Sequence, residues 1–154
     1  MRPHFLLRLC GVAVLFGDPS GTYGADPAAI QVVEAWARQA PMMPSTGHMH
    51  GATGTGAVYV TLRNTEAVPV ALVGASSAAA EVVELHETIR DGEVMRMRPV
   101  GILALPAGAT LEMKPGGLHI MLINLTRALH PGDTVPLTLA FEHGATLTLE
   151  VPVR

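Results

Sequence analysis

From Ile30 onward the chain consists of short apolar runs in which hydrophobic and polar residues alternate, and Gly, Pro, Asn or Asp ends each run. No stretch combines helical spacing with helix caps. A period of two sends successive side chains to opposite faces, so each run builds a strand with one face for a core and the other for solvent. Nine runs qualify: IQVVEAWAR, GAVYVTLRN, PVALVGAS, EVVELHETI, EVMRMRPV, TLEMK, GLHIMLINL, TVPLTLAFE and ATLTLEVPV. Asp91-Gly92 in RDGE joins two of them with the commonest short hairpin signal, and KPGG, HPGD and EHGA mark later reversals. The expected fold class is all-β.

About 7–9 strands at this spacing predict two packed antiparallel sheets, a Greek-key β-sandwich of Ig-like or cupredoxin-like type, with a small closed barrel as the alternative. Val, Leu and Ala supply the core. Trp36, the only Trp, is expected as an anchor packed between the sheets.

The first residues stand apart from this pattern. Arg2 and Arg8 precede the apolar run LCGVAVLF, and small and turn-forming residues follow, which is the layout of a secretory signal peptide. Residues 1–25 are read as a cleaved leader, with the cut near residues 24–26, and residues 26–154 as one mature domain. The apolar run is shorter than the roughly 20 residues that span a bilayer, so stable membrane insertion is not expected. Cys10, the single cysteine, lies in the leader and lacks the small preceding residues of a lipoprotein box. The mature chain then has no thiol, which excludes a disulfide framework, a zinc-cysteine site, a thiol nucleophile and a thiolate-dependent copper centre. Without Arg2, Arg8 and Asp18, 8 basic residues face 12 acidic ones, a net charge of −4 with His neutral. Nucleic acid is not an expected partner.

His and Met remain as soft donors. In GLHIMLINL, His119 and Met121 share one strand face, about 7 Å apart at the Cα level, while Leu118, Ile120 and Leu122 occupy the other. In EVMRMRPV, Met95 and Met97 alternate with Arg96 and Arg98, forming either a core stripe or a row of soft ligands. VVELHETI puts His86 on a face with Glu84 and Thr88, and the Asp-Gly hairpin brings that strand beside the methionines. Two His and two Met without Cys suit a soft monovalent ion such as Cu(I), because thioethers select Cu(I) whereas Zn²⁺ and Ca²⁺ prefer thiolate, imidazole or oxygen.

These residues and their surroundings resemble the periplasmic copper chaperone family called PCuAC. Its motif is His, ten residues, Met, twenty-one residues, His, one residue, Met, and His86, Met97, His119 and Met121 fit both spacings. VELHET, GEVMRMRPV, PAGATLEMKPGGLHIMLINL, GDTVPLTLAFE and GAVYVTLRN are also similar, so the likeness covers about residues 30 to 154. The resemblance implies a cupredoxin-like sandwich that binds Cu(I) near its surface in the periplasm. It further implies delivery to the copper-site subunit of a respiratory cytochrome oxidase, commonly with a second, thiol-bearing chaperone. One position departs from many members: Thr88 stands where the motif has an optional Met.

A second group of donors lies in PMMPSTGHMHGATG, residues 41–54: Met42, Met43, His48, Met49 and His50. Its composition is that of a connecting loop. Its thioethers and imidazoles make it the expected place of an auxiliary, weaker copper site that assists the four-residue one by raising the local ligand concentration. His130 and His143, beside turns, are expected at the surface, Met113 in the core, and Arg96 and Arg98 on a solvated face.

The leading expectation is thus a copper carrier and not an enzyme. No Ser-His-Asp or paired-carboxylate arrangement stands out, and a neutral soft site generates a hydroxide nucleophile poorly. Copper storage or tolerance, and a structural sandwich with incidental His and Met, are the alternatives.

Overall fold

The structure is a computed structural model and describes residues 29–42 and 54–154. The leader and most of the 41–54 loop therefore lie outside the described residues. Among the described residues ten strands follow in order: β1 (Ile30–Ala37), β2 (Thr55–Asn64), β3 (Val70–Ser76), β4 (Ala80–Asp91), β5 (Val94–Pro99), β6 (Leu103–Leu105), β7 (Thr110–Glu112), β8 (Leu118–Leu125), β9 (Thr134–Phe141) and β10 (Thr146–Pro152). Nine coincide with the alternating runs. The tenth, β6, has three residues, too few to show a period.

The strands form two antiparallel sheets. One runs β1-β2-β8-β4-β5, with β7 also on β2, and the other runs β10-β9-β3-β6. β8 pairs with residues 55–58 of β2 and β7 with residues 61–63, so these two strands share one edge of β2. Two separate sheets give a β-sandwich rather than a closed barrel.

Alternation decides what fills the space between the sheets. Val58, Val60 and Leu62 of β2, Ile120 and Leu122 of β8, and Val135, Leu137, Leu139 and Phe141 of β9 are all buried. Each such side chain contributes about 1.5–3 kcal/mol on leaving water. Met113 joins this core. Asn64 is fully buried, yet its amide is satisfied: Nδ2 donates to the carbonyls of Val68 (2.8 Å) and Leu105 (3.1 Å), and Oδ1 accepts from the Glu66 N–H (2.9 Å). It ties the end of β2 to β6.

Trp36 corrects the sequence expectation. β1 carries a register shift between Val32 and Glu34. An extra residue in one strand reverses the faces beyond it. Ile30 and Val32 stand opposite Asn64 and Leu62 on the core side, but past the shift Ala35 and Ala37 take that side and Trp36 turns outward opposite Tyr59. Its ring packs 4.5 Å from that of Tyr59, centroid to centroid, and the Arg154 guanidinium lies over the Trp36 ring, 5.9 Å from its centroid. Trp36 is a packing residue of the outer face, not an anchor between the sheets.

Asp91 pairs with Val94, so Gly92 and Glu93 close the β4–β5 hairpin, and Gly92 takes the positive φ of 64° that a two-residue connection requires. The hairpin leaves β5 at the edge of the larger sheet. All six residues of β5 are exposed.

Candidate metal centre

The outer face of the six-stranded sheet collects the motif residues. His86 of β4 and His119 of β8 are direct cross-strand partners. Met121, two residues beyond His119, stands opposite Glu84, while Met97 of β5 stands opposite Thr88, two residues beyond His86. Cross-strand partners and alternate residues share a face, so all four side chains project to the same side. Ile120 and Leu122, which alternate with His119 and Met121, are wholly buried in the core and fix the phase of β8. A one-residue slip would expel two apolar side chains and bury two donors.

The two imidazoles are held in complementary ways. His119 is 5% exposed, and its Nδ1 lies 3.1 Å from the Gly117 carbonyl, which accepts the proton there and leaves Nε2 as the bare nitrogen. His86, with an 11% exposed side chain, has Nε2 2.8 Å from Glu84 Oε2, which leaves Nδ1 bare. Both remaining nitrogens, His86 Nδ1 and His119 Nε2, are buried and lack a hydrogen-bond partner. An unpaired buried polar atom costs about 1–3 kcal/mol, and two on neighbouring rings 5.9 Å apart call for a shared ligand. An imidazole fixed through one nitrogen by a carboxylate or carbonyl and free at the other is how metal-ligating histidines are oriented.

The methionines differ from the histidines in exposure. Met97 is 61% and Met95 57% exposed, so the core-stripe alternative for this pair does not apply. Met97, His119 and Met121 line an open depression on this face, together with Thr88, Tyr59 and Arg38. His86 does not line it and lies beside it, next to His119. Thr88, at the optional Met position, lines the same depression beside its cross-strand partner Met97.

Two neighbours had no functional reading in the sequence. Tyr59 stands with its ring 6.4 Å from that of His119 and continues toward Trp36, giving a row of rings across β1, β2, β8 and β4. Glu84 had a legible signal, since a carboxylate two residues before a strand histidine falls on its face.

Other candidates fall elsewhere. Met42 packs partly against the core, its thioether beside Gly54; Met43, His48, Met49 and His50 lie outside the described residues. His130 and His143 are exposed at turns. Arg96 and Arg98 are exposed on the opposite face of β5, paired with Asp91 (3.6 Å) and Glu87 (3.0 Å). Among the described residues, no group of three or more His, Cys, Asp or Glu side chains is placed to hold a metal. The donor-rich face is thus imidazole and thioether, which selects a soft ion over hard cations. No helix among the described residues is long and apolar enough to cross a membrane.

Known proteins share this two-sheet fold. The model of the LpqE-like family, described as putative lipoproteins, matches residues 30–153. A putative lipoprotein of Leifsonia xyli subsp. xyli is 35% identical over 151 residues, covering 97% of this chain and 84% of that protein. Among solved structures, the Cu(I) form of DR1885 from Deinococcus radiodurans has a TM-score of 0.57 and 34% identity, over 80% of this chain and 78% of that one. The copper-bound PCuAC domain from PmoF2 has a TM-score of 0.61 over 86% of this chain and 96% of that one; at 23% identity it is a likeness of fold.

Proposed function

This chain belongs to the PCuAC-related LpqE-like family, and from that membership we propose that it is an exported Cu(I) carrier, held by His86, Met97, His119 and Met121. The observation that carries the reading is the pair of bare, buried nitrogens on cross-strand partners, His86 Nδ1 and His119 Nε2, on the face that also bears both thioethers. Support comes from DR1885, which is 34% identical and has a Cu(I)-bound structure.

The donors divide the labour of a carrier. The imidazoles, preset by Glu84 and Gly117, hold the ion without reorganising. Met97, on an exposed edge strand, marks the side from which a partner's thiolate or thioether approaches, so transfer is stepwise ligand exchange in which one bond forms before another breaks. All four ligands are neutral, so only protons on the two imidazoles compete with the ion.

The recipient in this reading is the copper-site subunit of a respiratory cytochrome oxidase, reached in the periplasm after removal of the leader, with a thiol-bearing chaperone as a further partner. The 41–54 loop, with Met42, Met43, His48, Met49 and His50, supplies an auxiliary copper site. The test is a Cu(I) competition titration of residues 26–154, followed by mixing with a purified oxidase copper domain. One tightly held ion, lost in the His119→Ala, Met121→Ala double variant and passed to the domain, is expected; binding that survives the double variant overturns the assignment, and binding without transfer points to storage. Deleting the loop is expected to lower the stoichiometry while sparing the four-residue site.

A further inference from the structure

Exposure along the outer face follows a gradient that the four ligands alone do not account for. The nitrogens are buried, with His119 5% and the His86 side chain 11% exposed, and Met97 is 61% exposed. Beyond Met97, Met95 lies on the same face of β5, one alternation closer to the hairpin tip and opposite Arg90, and is 57% exposed. Met95 is not among the residues of the apolar core or those packed against it, and every residue of β5 is exposed. A long apolar side chain there forgoes burial, where Thr, Lys or Glu would suit an edge strand.

We propose that Met95 is a transient entry ligand for Cu(I), taking the ion at the rim and passing it to Met97, from which it moves to the buried imidazoles. This rests on the carrier reading and adds a route to it. Met95 and Met97 are about 7 Å apart at the Cα level, and each thioether sits on a flexible three-torsion arm, so their tips reach a common ion. The step is a thioether-for-thioether exchange: the Met97 sulfur bond to copper forms, the Met95 sulfur bond breaks, the ion stays Cu(I) and no proton moves. Unloading runs the same path in reverse.

Microscopic reversibility gives this role a signature. A group used only along the path lowers the barrier equally in both directions and leaves the equilibrium unchanged, whereas a resting ligand changes the affinity. Met95→Leu keeps size and apolarity and removes the sulfur. Stopped-flow exchange of Cu(I) between the full mature chain and a soluble Cu(I) chelator is expected to show loading and unloading rates that fall together, several-fold, with the dissociation constant unchanged. Ag(I) added below stoichiometry to protein labelled at the methionine methyls is expected to shift or broaden the Met95 signal along with those of Met97 and Met121. Unchanged rates in Met95→Leu, a lowered affinity, or a Met95 methyl that ignores Ag(I) while Met97 and Met121 respond would overturn the proposal. Failure of wild-type protein to bind Cu(I) in the same titration would instead remove the carrier reading itself.

Discussion

Glu84 offers the sharpest perturbation, because it touches the site without being one of its donors. Its Oε2 accepts the His86 Nε2 proton at 2.8 Å and so dictates which nitrogen remains bare. A hydrogen bond to an ionised group contributes about 1.5–3 kcal/mol, against about 0.5–1.5 kcal/mol for a neutral pair. Glu84→Gln keeps an acceptor and loses the charge, a difference of about 1 kcal/mol that water reduces, since the Glu84 side chain is 45% exposed. Cu(I) affinity should therefore fall only a few-fold. Glu84→Leu leaves no acceptor, and loss of such an orienting partner costs about 10–100-fold in metal affinity; the exposure of the carboxylate places this case near the lower figure. Two readouts are needed. Competition with a Cu(I) chelator gives the affinity, and long-range ¹H–¹⁵N spectra of the metal-free protein give the His86 tautomer, expected to be Nε2–H in the wild type and mixed in Glu84→Leu. A Leu variant with the wild-type tautomer and affinity would refute the claim that Glu84 sets the ligating nitrogen.

Three further outcomes follow from the same structure. Asn64→Ala strips a fully buried amide from the carbonyls of Val68 and Leu105 and from the Glu66 N–H, and should destabilise the fold by about 2–4 kcal/mol in urea unfolding, since each abandoned buried group costs about 1–3 kcal/mol. Acidification should weaken Cu(I) binding, because protons compete with the ion for the imidazole nitrogens, and a dissociation constant indifferent to pH would exclude imidazole ligation. Thr88→Met places a third thioether opposite Met97 in the depression and should tighten Cu(I) binding in the competition titration.

Much of this architecture was legible because two periods coincide in the sequence. Alternation in GLHIMLINL tells at once that Ile120 and Leu122 enter the core and that His119 and Met121 leave it together. The Asp91-Gly92 turn then fixes which strand lies beside His86. What alternation cannot show is a change of phase. The register shift in β1 turns Trp36 away from the core and onto Tyr59, and nothing in IQVVEAWAR marks the extra residue. β6 escaped for a related reason: three residues carry no measurable period, and its place comes from pairing with β3 and from the Asn64 amide. The support of the site was partly hidden as well. Glu84 shares a face with His86 by parity alone, but the Gly117 carbonyl that holds His119 is a backbone group, and Tyr59 reaches His119 only through the pairing of β2 with β8.

The central claim is a mixed imidazole and thioether set drawn from His86, Met97, His119 and Met121. X-ray absorption at the copper edge tests it most directly, on the mature chain loaded with one Cu(I) and carrying Met42→Leu, Met43→Leu and Met49→Leu, which remove the sulfurs of the 41–54 loop. The account predicts both nitrogen and sulfur scatterers around Cu(I), with the sulfur contribution falling by half in Met97→Leu and again in Met121→Leu, and disappearing when both are replaced. A spectrum with nitrogen and oxygen neighbours alone, or a sulfur shell indifferent to either substitution, would contradict it.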